Sequence, residues 1–92
     1  MRNMTRAEEI IGAVATSWKE GKSVFSREDI RGQIGISQDK WLSGYTAIFQ
    51  GMRADHPGGA PPVNSKFQNV FRQIRRGEHT LTDYGKKLLE EY

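Results

Sequence analysis

Phe71-Arg72-Gln73-Ile74-Arg75-Arg76-Gly77-Glu78-His79-Thr80-Leu81-Thr82-Asp83-Tyr84-Gly85 decides how this chain folds. Read in order it is strand, tight turn, strand and helix start. Gly77 suits the positive backbone dihedral of the turn, and the runs on either side are long enough for a two-stranded ribbon. Arg72, Arg75 and Arg76 crowd the first strand and stop it from being an ordinary buried element. A hairpin so charged wants a polyanion.

The first strand is expected over residues 69–75 and the second over 78–81. Val70 and Ile74 should face the core, with Phe71, Gln73 and Arg75 facing outward or across the hairpin. Downstream, Thr82-Asp83 caps a last helix predicted over 83–91, which returns Tyr84, Leu88 and Leu89 to the core. Gly85 inside its first turn implies a close approach to another backbone. Upstream, residues 55–63 carry Pro57, Gly58, Gly59, Pro61 and Pro62, which can neither continue a helix nor make a regular strand, so they form a loop.

Three helices are expected before that loop. Residues 1–4 should fray. Thr5 and Glu8 then have the spacing of a capping box, and Ala7, Ile10, Ile11, Val14 and Trp18 line one face of a helix over residues 6–20, while Glu8, Glu9, Thr16 and Lys19 point elsewhere. Gly21 supplies its C-terminal stop. Ser23-Val24-Phe25 is a brief strand able to add an edge to the later hairpin. Ser26 opens a second helix to about Gln33, anchored by Ile30 and Ile34.

Gly35-Ile36-Ser37 is a turn that ends in another cap, and the third helix is predicted over 38–54 with Trp41, Leu42, Tyr45, Ile48, Phe49 and Met52 on its inner face. Two helices joined by a short glycine-containing turn have helix-turn-helix spacing, which unrelated helical hairpins share.

The stretch from Phe71 to Gly85 resembles the wing of winged helix-turn-helix domains, in which an aromatic and basic strand, a glycine turn and a Leu-Thr pair lead into a final helix. It is similar to small modules that stand alone as regulators or are attached to restriction-type nucleases. The resemblance implies an α+β, mainly α fold with a three-helix core, a β-hairpin wing at residues 69–81 and a C-terminal helix.

Composition agrees with one such domain. Ninety-two residues lack the volume for two cores, and 36% hydrophobic with 27% charged residues is the balance of a globular protein. Ten glycines and a mean hydropathy of -0.69 point to sizeable loops. There is no cysteine, hence no disulfide framework or thiolate zinc site. No apolar run approaches the roughly 20 residues of a membrane span and no signal segment is recognisable, so a cytoplasmic, nucleoid-associated setting is expected. The net charge is +3, and residues 64–79 hold Lys66, Arg72, Arg75 and Arg76 against Glu78 alone, while residues 1–63 carry eight basic and seven acidic residues.

The expected function is therefore double-stranded DNA binding, as a regulator or the DNA-reading module of a larger system. Lys66, Arg72, Arg75 and Arg76, flanked by His79, are the candidate phosphate contacts. Gln38, Lys40, Ser43, Ala47 and Gln50 form the small, polar outer face of the third helix, which suits a major groove. Only Arg53 stands at the side of that face, so sequence specificity should be modest. A solvated edge ribbon and an ordinary wet helix face would carry the same residues.

Trp18, Trp41, Tyr45 and Phe49 fall on apolar stripes and read as core, whereas Phe71, beside arginines, is where any single-strand stacking would begin. Catalysis has little to work with: Asp55-His56, an adjacent acid and imidazole, lies in the loop, and no cofactor cradle follows a strand. His56 and His79 lack metal-ligand spacing. No enzyme activity, cofactor or metal is expected. The first and last helices show no second apolar stripe, so a monomer or weak homodimer is as much expected as a firm dimer. The rival expectation is a protein-interaction module on the same fold without DNA contact.

Overall fold

The computed structural model of the chain describes residues 5–54 and 65–91. Among these it is small and mainly helical: α1 (Arg6–Lys19), α2 (Arg27–Ile34), α3 (Gln38–Gly44), α4 (Thr46–Gly51), a 3-10 turn (Ser65–Phe67), an antiparallel hairpin of β1 (Phe71–Arg75) and β2 (Glu78–Leu81), and α5 (Asp83–Leu89). The frayed start expected at residues 1–4 and the Pro/Gly loop expected at 55–63 lie outside the described residues.

Local chemistry places each helix start. The Thr5 hydroxyl accepts from the Glu8 amide while the Glu8 carboxylate accepts from the Thr5 amide, a reciprocal cap. That folding back buries Glu8 to 8% exposure, against the expectation that it points outward. Ser26 and Asp29 repeat the exchange at α2, and Ser37 and Thr82 cap α3 and α5. α1 ends as Gly21 turns left-handed at φ +96°, its amide donating to the Trp18 carbonyl and that of Lys22 to Ser17.

The long third helix is broken. Gly44 is a weak helix former and Tyr45 departs to φ -115°, so the predicted single element becomes α3 and α4. Thr46 donates its hydroxyl to the Trp41 carbonyl, the same oxygen that accepts from the Tyr45 amide, which competes with a regular backbone ladder. Trp41, Tyr45, Phe49 and Met52 remain buried across the break, but Ile48 is only half-buried and Leu42 is 61% exposed, both contrary to the predicted stripe.

The hairpin departs from strict alternation at two places. Asn69 adopts φ +61°, and the Val70 and Phe71 amides both donate to the Met52 carbonyl, so both side chains turn inward. A bulge between Gln73 and Arg75 leaves Ile74 outside the ladder at 41% exposure. The expected roles of Phe71 and Ile74 are thus exchanged. Phe25 bridges His79 in antiparallel fashion, as the short 23–25 segment predicts, and Arg53 bridges Phe71 in parallel.

α5 closes the fold over this hairpin. Thr82 donates its amide to the Val70 carbonyl at 2.9 Å, and its hydroxyl accepts from the Gly85 amide at 3.0 Å. The approach is so close that a Cβ on Gly85 would stand 2.3 Å from the Val70 oxygen, which is the backbone contact that glycine anticipates. Leu88 and Leu89 enter the core, while Tyr84, expected there, is 42% exposed and donates its hydroxyl to the Lys66 carbonyl.

α1 packs against α2, α4 and α5. The Tyr45 phenol donates to the Glu9 carboxylate, joining α1 to the α3–α4 break, with the Arg6 guanidinium 5.7 Å from the Tyr45 ring. This bond and then burial raise the Tyr45 pKa above its ordinary value of 10.0.

Two glycines should respond with opposite sign. Gly85→Ala drives a methyl into backbone and is expected to cost about 3 kcal/mol, the upper range for overpacking. Gly32→Ala, helical with nothing within 4 Å, should gain about 1 kcal/mol. Urea melts that show both changes within about 0.5 kcal/mol of zero, roughly the noise of such comparisons, would refute the seating of α5.

For Tyr45 the folded pKa exceeds the unfolded one, so its contribution is complete below about pH 10 and disappears as pH rises through the raised folded value. Tyr45→Phe should remove about 1 kcal/mol at neutral pH and flatten that alkaline limb, as measured by melts from about pH 8 to about pH 11.

Candidate nucleic-acid interface

β1 and β2 carry the basic residues to the tip of the hairpin because the strands run past the core they cover. Phe71 pairs with Leu81 at the buried end, and beyond Gln73 and His79 the ribbon extends into solvent. Arg72, Arg75 and Arg76 are exposed, in keeping with their expected position. Arg75 is not free: its Nε lies 2.7 Å from the Glu78 carboxylate. Arg72 and Arg76 make no ion pair with any described residue.

Two predicted members stand elsewhere. His79 is 2% exposed, its ring meeting Phe49 edge-on at 5.0 Å, so it cannot flank a phosphate as expected. The signal lay in the strand: His79 is two residues before Leu81, so both share the inner face. Lys66 sits on the 3-10 turn with its ammonium 3.5 Å from the Glu91 carboxylate, tied to the end of α5 instead of the hairpin tip. Phe71, the candidate for stacking on a single strand, is fully buried 5.0 Å from Phe49.

On the helical side Gln38, Lys40, Ser43 and Ala47 are exposed and Gln50 is half-buried. The break at Tyr45 divides this set, leaving Gln38, Lys40 and Ser43 on α3 and Ala47 and Gln50 on α4. The Ser43 hydroxyl donates to the Lys40 carbonyl at 3.1 Å. Leu42, at 61% the most exposed large apolar side chain among the described residues, stands among them.

Space also gathers residues that lie far apart in sequence. A cleft of about 350 Å³ opens between the start of α2 and the hairpin turn, with Arg27, Arg53 and Arg76 in its walls. Arg53 donates to the Gln73 side chain at 2.7 Å, and Gln73 in turn donates to the Arg75 carbonyl at 3.2 Å. The Arg27 guanidinium lies 5.8 Å from the centre of the Phe49 ring. Beside the cleft, the Asp29 carboxyl is held below its ordinary value first by the Ser26 amide and further by Lys22, whose ammonium is at 3.2 Å.

Sequence alone does not point to Arg27, because it lies in a segment of balanced charge. The described residues contain no group of three His, Asp or Glu side chains able to hold a metal ion, and no helix among them is long and apolar enough to cross a membrane. No protein-family model, curated protein or solved structure matches the chain.

Proposed function

We propose that the chain binds double-stranded DNA as a winged-helix domain, with α3 toward the major groove and the hairpin along the phosphate backbone, acting as a regulator or as the DNA-reading part of a larger system. The observation that carries this is the hairpin tip, where three exposed arginines face one carboxylate on a narrow ribbon. The order of elements agrees with it: helices α2 and α3 meet at a left-handed Gly35 turn, and a hairpin and a closing helix come after them. Lys40 and Gln38 on α3 are the candidate base-edge contacts, with Gln50 weaker because it is half-buried beyond the break. A binding role of this kind requires no chemistry of the chain itself.

One observation favours a second reading. Leu42 at 61% and Ile74 at 41% exposure are apolar groups on the two surfaces assigned to DNA, and a protein partner would desolvate them more usefully than a duplex.

Titration of a labelled duplex of about 15 base pairs at several salt concentrations separates the two. Replacing Arg72 and Arg76 together by alanine should reduce the magnitude of the log-log salt slope by about 2 and weaken binding to all sequences alike. Stability should stay within about 0.5 kcal/mol because both side chains are exposed. An unchanged slope removes the hairpin from the interface, and a wild type without salt-dependent binding favours the protein partner.

A further inference from the structure

We infer that the cleft between the first turn of α2 and the hairpin turn is a phosphate-ester site, with Arg27, Arg53 and Arg76 as its ligands. Three separate elements deliver these guanidinium groups to one cavity of about 350 Å³, near the lower limit of small-ligand sites. Glu28 is the only carboxylate among the described residues that line it, and that group is engaged by Arg31 at 2.7 Å. Like charges brought together in this way repel one another, and an anion seated between them relieves the repulsion.

Two of these cations are oriented by neighbours within the fold. Arg27 lies over the Phe49 ring, which fixes the guanidinium without neutralising it. Its Nε is buried with no hydrogen-bond partner, so the guanidinium that lines the cleft keeps unused donor capacity. Arg53 is oriented by the Gln73 amide, whose other end holds the Arg75 carbonyl and so braces the turn that carries Arg76. The start of α2 adds little of its own, because the Ser26 and Asp29 amides already serve the capping pair. What recognises the anion is a set of planar forks, and these match the oxygens of a phosphate bidentately.

A phosphodiester of bound duplex and a free phosphate monoester present the same oxygens, and two titrations distinguish them. The site itself does not depend on the duplex reading. The first follows backbone amide shifts of the intact chain with inorganic phosphate against sodium chloride at constant ionic strength. Arg27, Glu28, Arg76 and Gly77 should shift together and saturably, and Arg76→Ala should weaken this about tenfold, the loss of roughly one charge-assisted hydrogen bond. Because Arg27→Ala could loosen the core at Phe49, Arg27→Lys is the companion variant: it keeps the charge, loses the fork, and should also weaken phosphate binding.

The second titration adds phosphate to protein saturated with a duplex of about 15 base pairs. If the duplex shifts the same four amides and abolishes the phosphate response, a backbone diester occupies the site. If both bind at once, or duplex does not bind while phosphate does, the site serves a free phosphate ester. Shifts that chloride reproduces, or that touch Arg72 as much as Arg76, overturn the site even where duplex binding holds.

Discussion

The ring of Phe49 is the constraint on which the rest depends. Trp41 of α3 lies 6.2 Å away, Phe71 of β1 and His79 of β2 each 5.0 Å, and the Arg27 guanidinium of α2 5.8 Å. One fully buried side chain on α4 therefore meets both strands and helices α2 and α3. Each such aromatic contact is worth about 0.5 to 1.5 kcal/mol beyond the area it buries, a notable share of the stability of so small a domain. The functional consequence is positional: the hairpin cannot turn about its axis without pulling Phe71 and His79 from the same ring, so the arginine tip is held at a fixed angle to α2.

A two-stranded ribbon is marginal alone, and this one is held at both edges and at its base. Phe25 exchanges two backbone hydrogen bonds with His79, at 2.7 and 2.8 Å, and on the other edge Ala54 donates to Phe71 at 2.7 Å. At the base Thr82 and Gly85 clamp the chain just before β1, where the absent Cβ lets α5 settle on the Val70 carbonyl. None of these anchors lies beyond Gln73, so the tip carries its charge on a stiff base without being packed itself. That is the arrangement a ribbon needs if it is to meet a partner outside the fold.

The sequence was legible where a residue acts on its immediate neighbours. Thr5, Ser26, Ser37 and Thr82 cap their helices because a side-chain oxygen reaches only two or three residues along the chain, and Gly21, Gly35 and Gly85 sit where a left-handed turn or a close approach needs them. It was not legible where a single distortion resets the register of every later residue in the element. The left-handed Asn69 and the bulge at Ile74 each move the strand by one residue, and with a period of two that exchanges inside for outside. The break at Tyr45 likewise divides the predicted third helix, and within α3, ahead of that break, Leu42 is exposed while Trp41 stays buried.

Electrostatics shows the limit of reading charge along the chain. Counted in sequence, residues 64–79 hold the excess, yet Arg75 faces Glu78 and Lys66 faces Glu91, so two of the four cations there are compensated. The segment that counts as balanced, residues 1–63, yields Arg27 and Arg53, whose side chains line one cleft with Arg76, while Asp29, three residues after Ser26, turns to cap α2 and pair with Lys22. A carboxylate committed to a backbone amide and an ammonium no longer offsets a guanidinium on the other side of the same helix turn. Charge counted along the chain therefore misses the junction where α2, the segment after α4 and the hairpin turn line one cleft with three arginines, beside the Phe49 ring that packs against α2 and both strands.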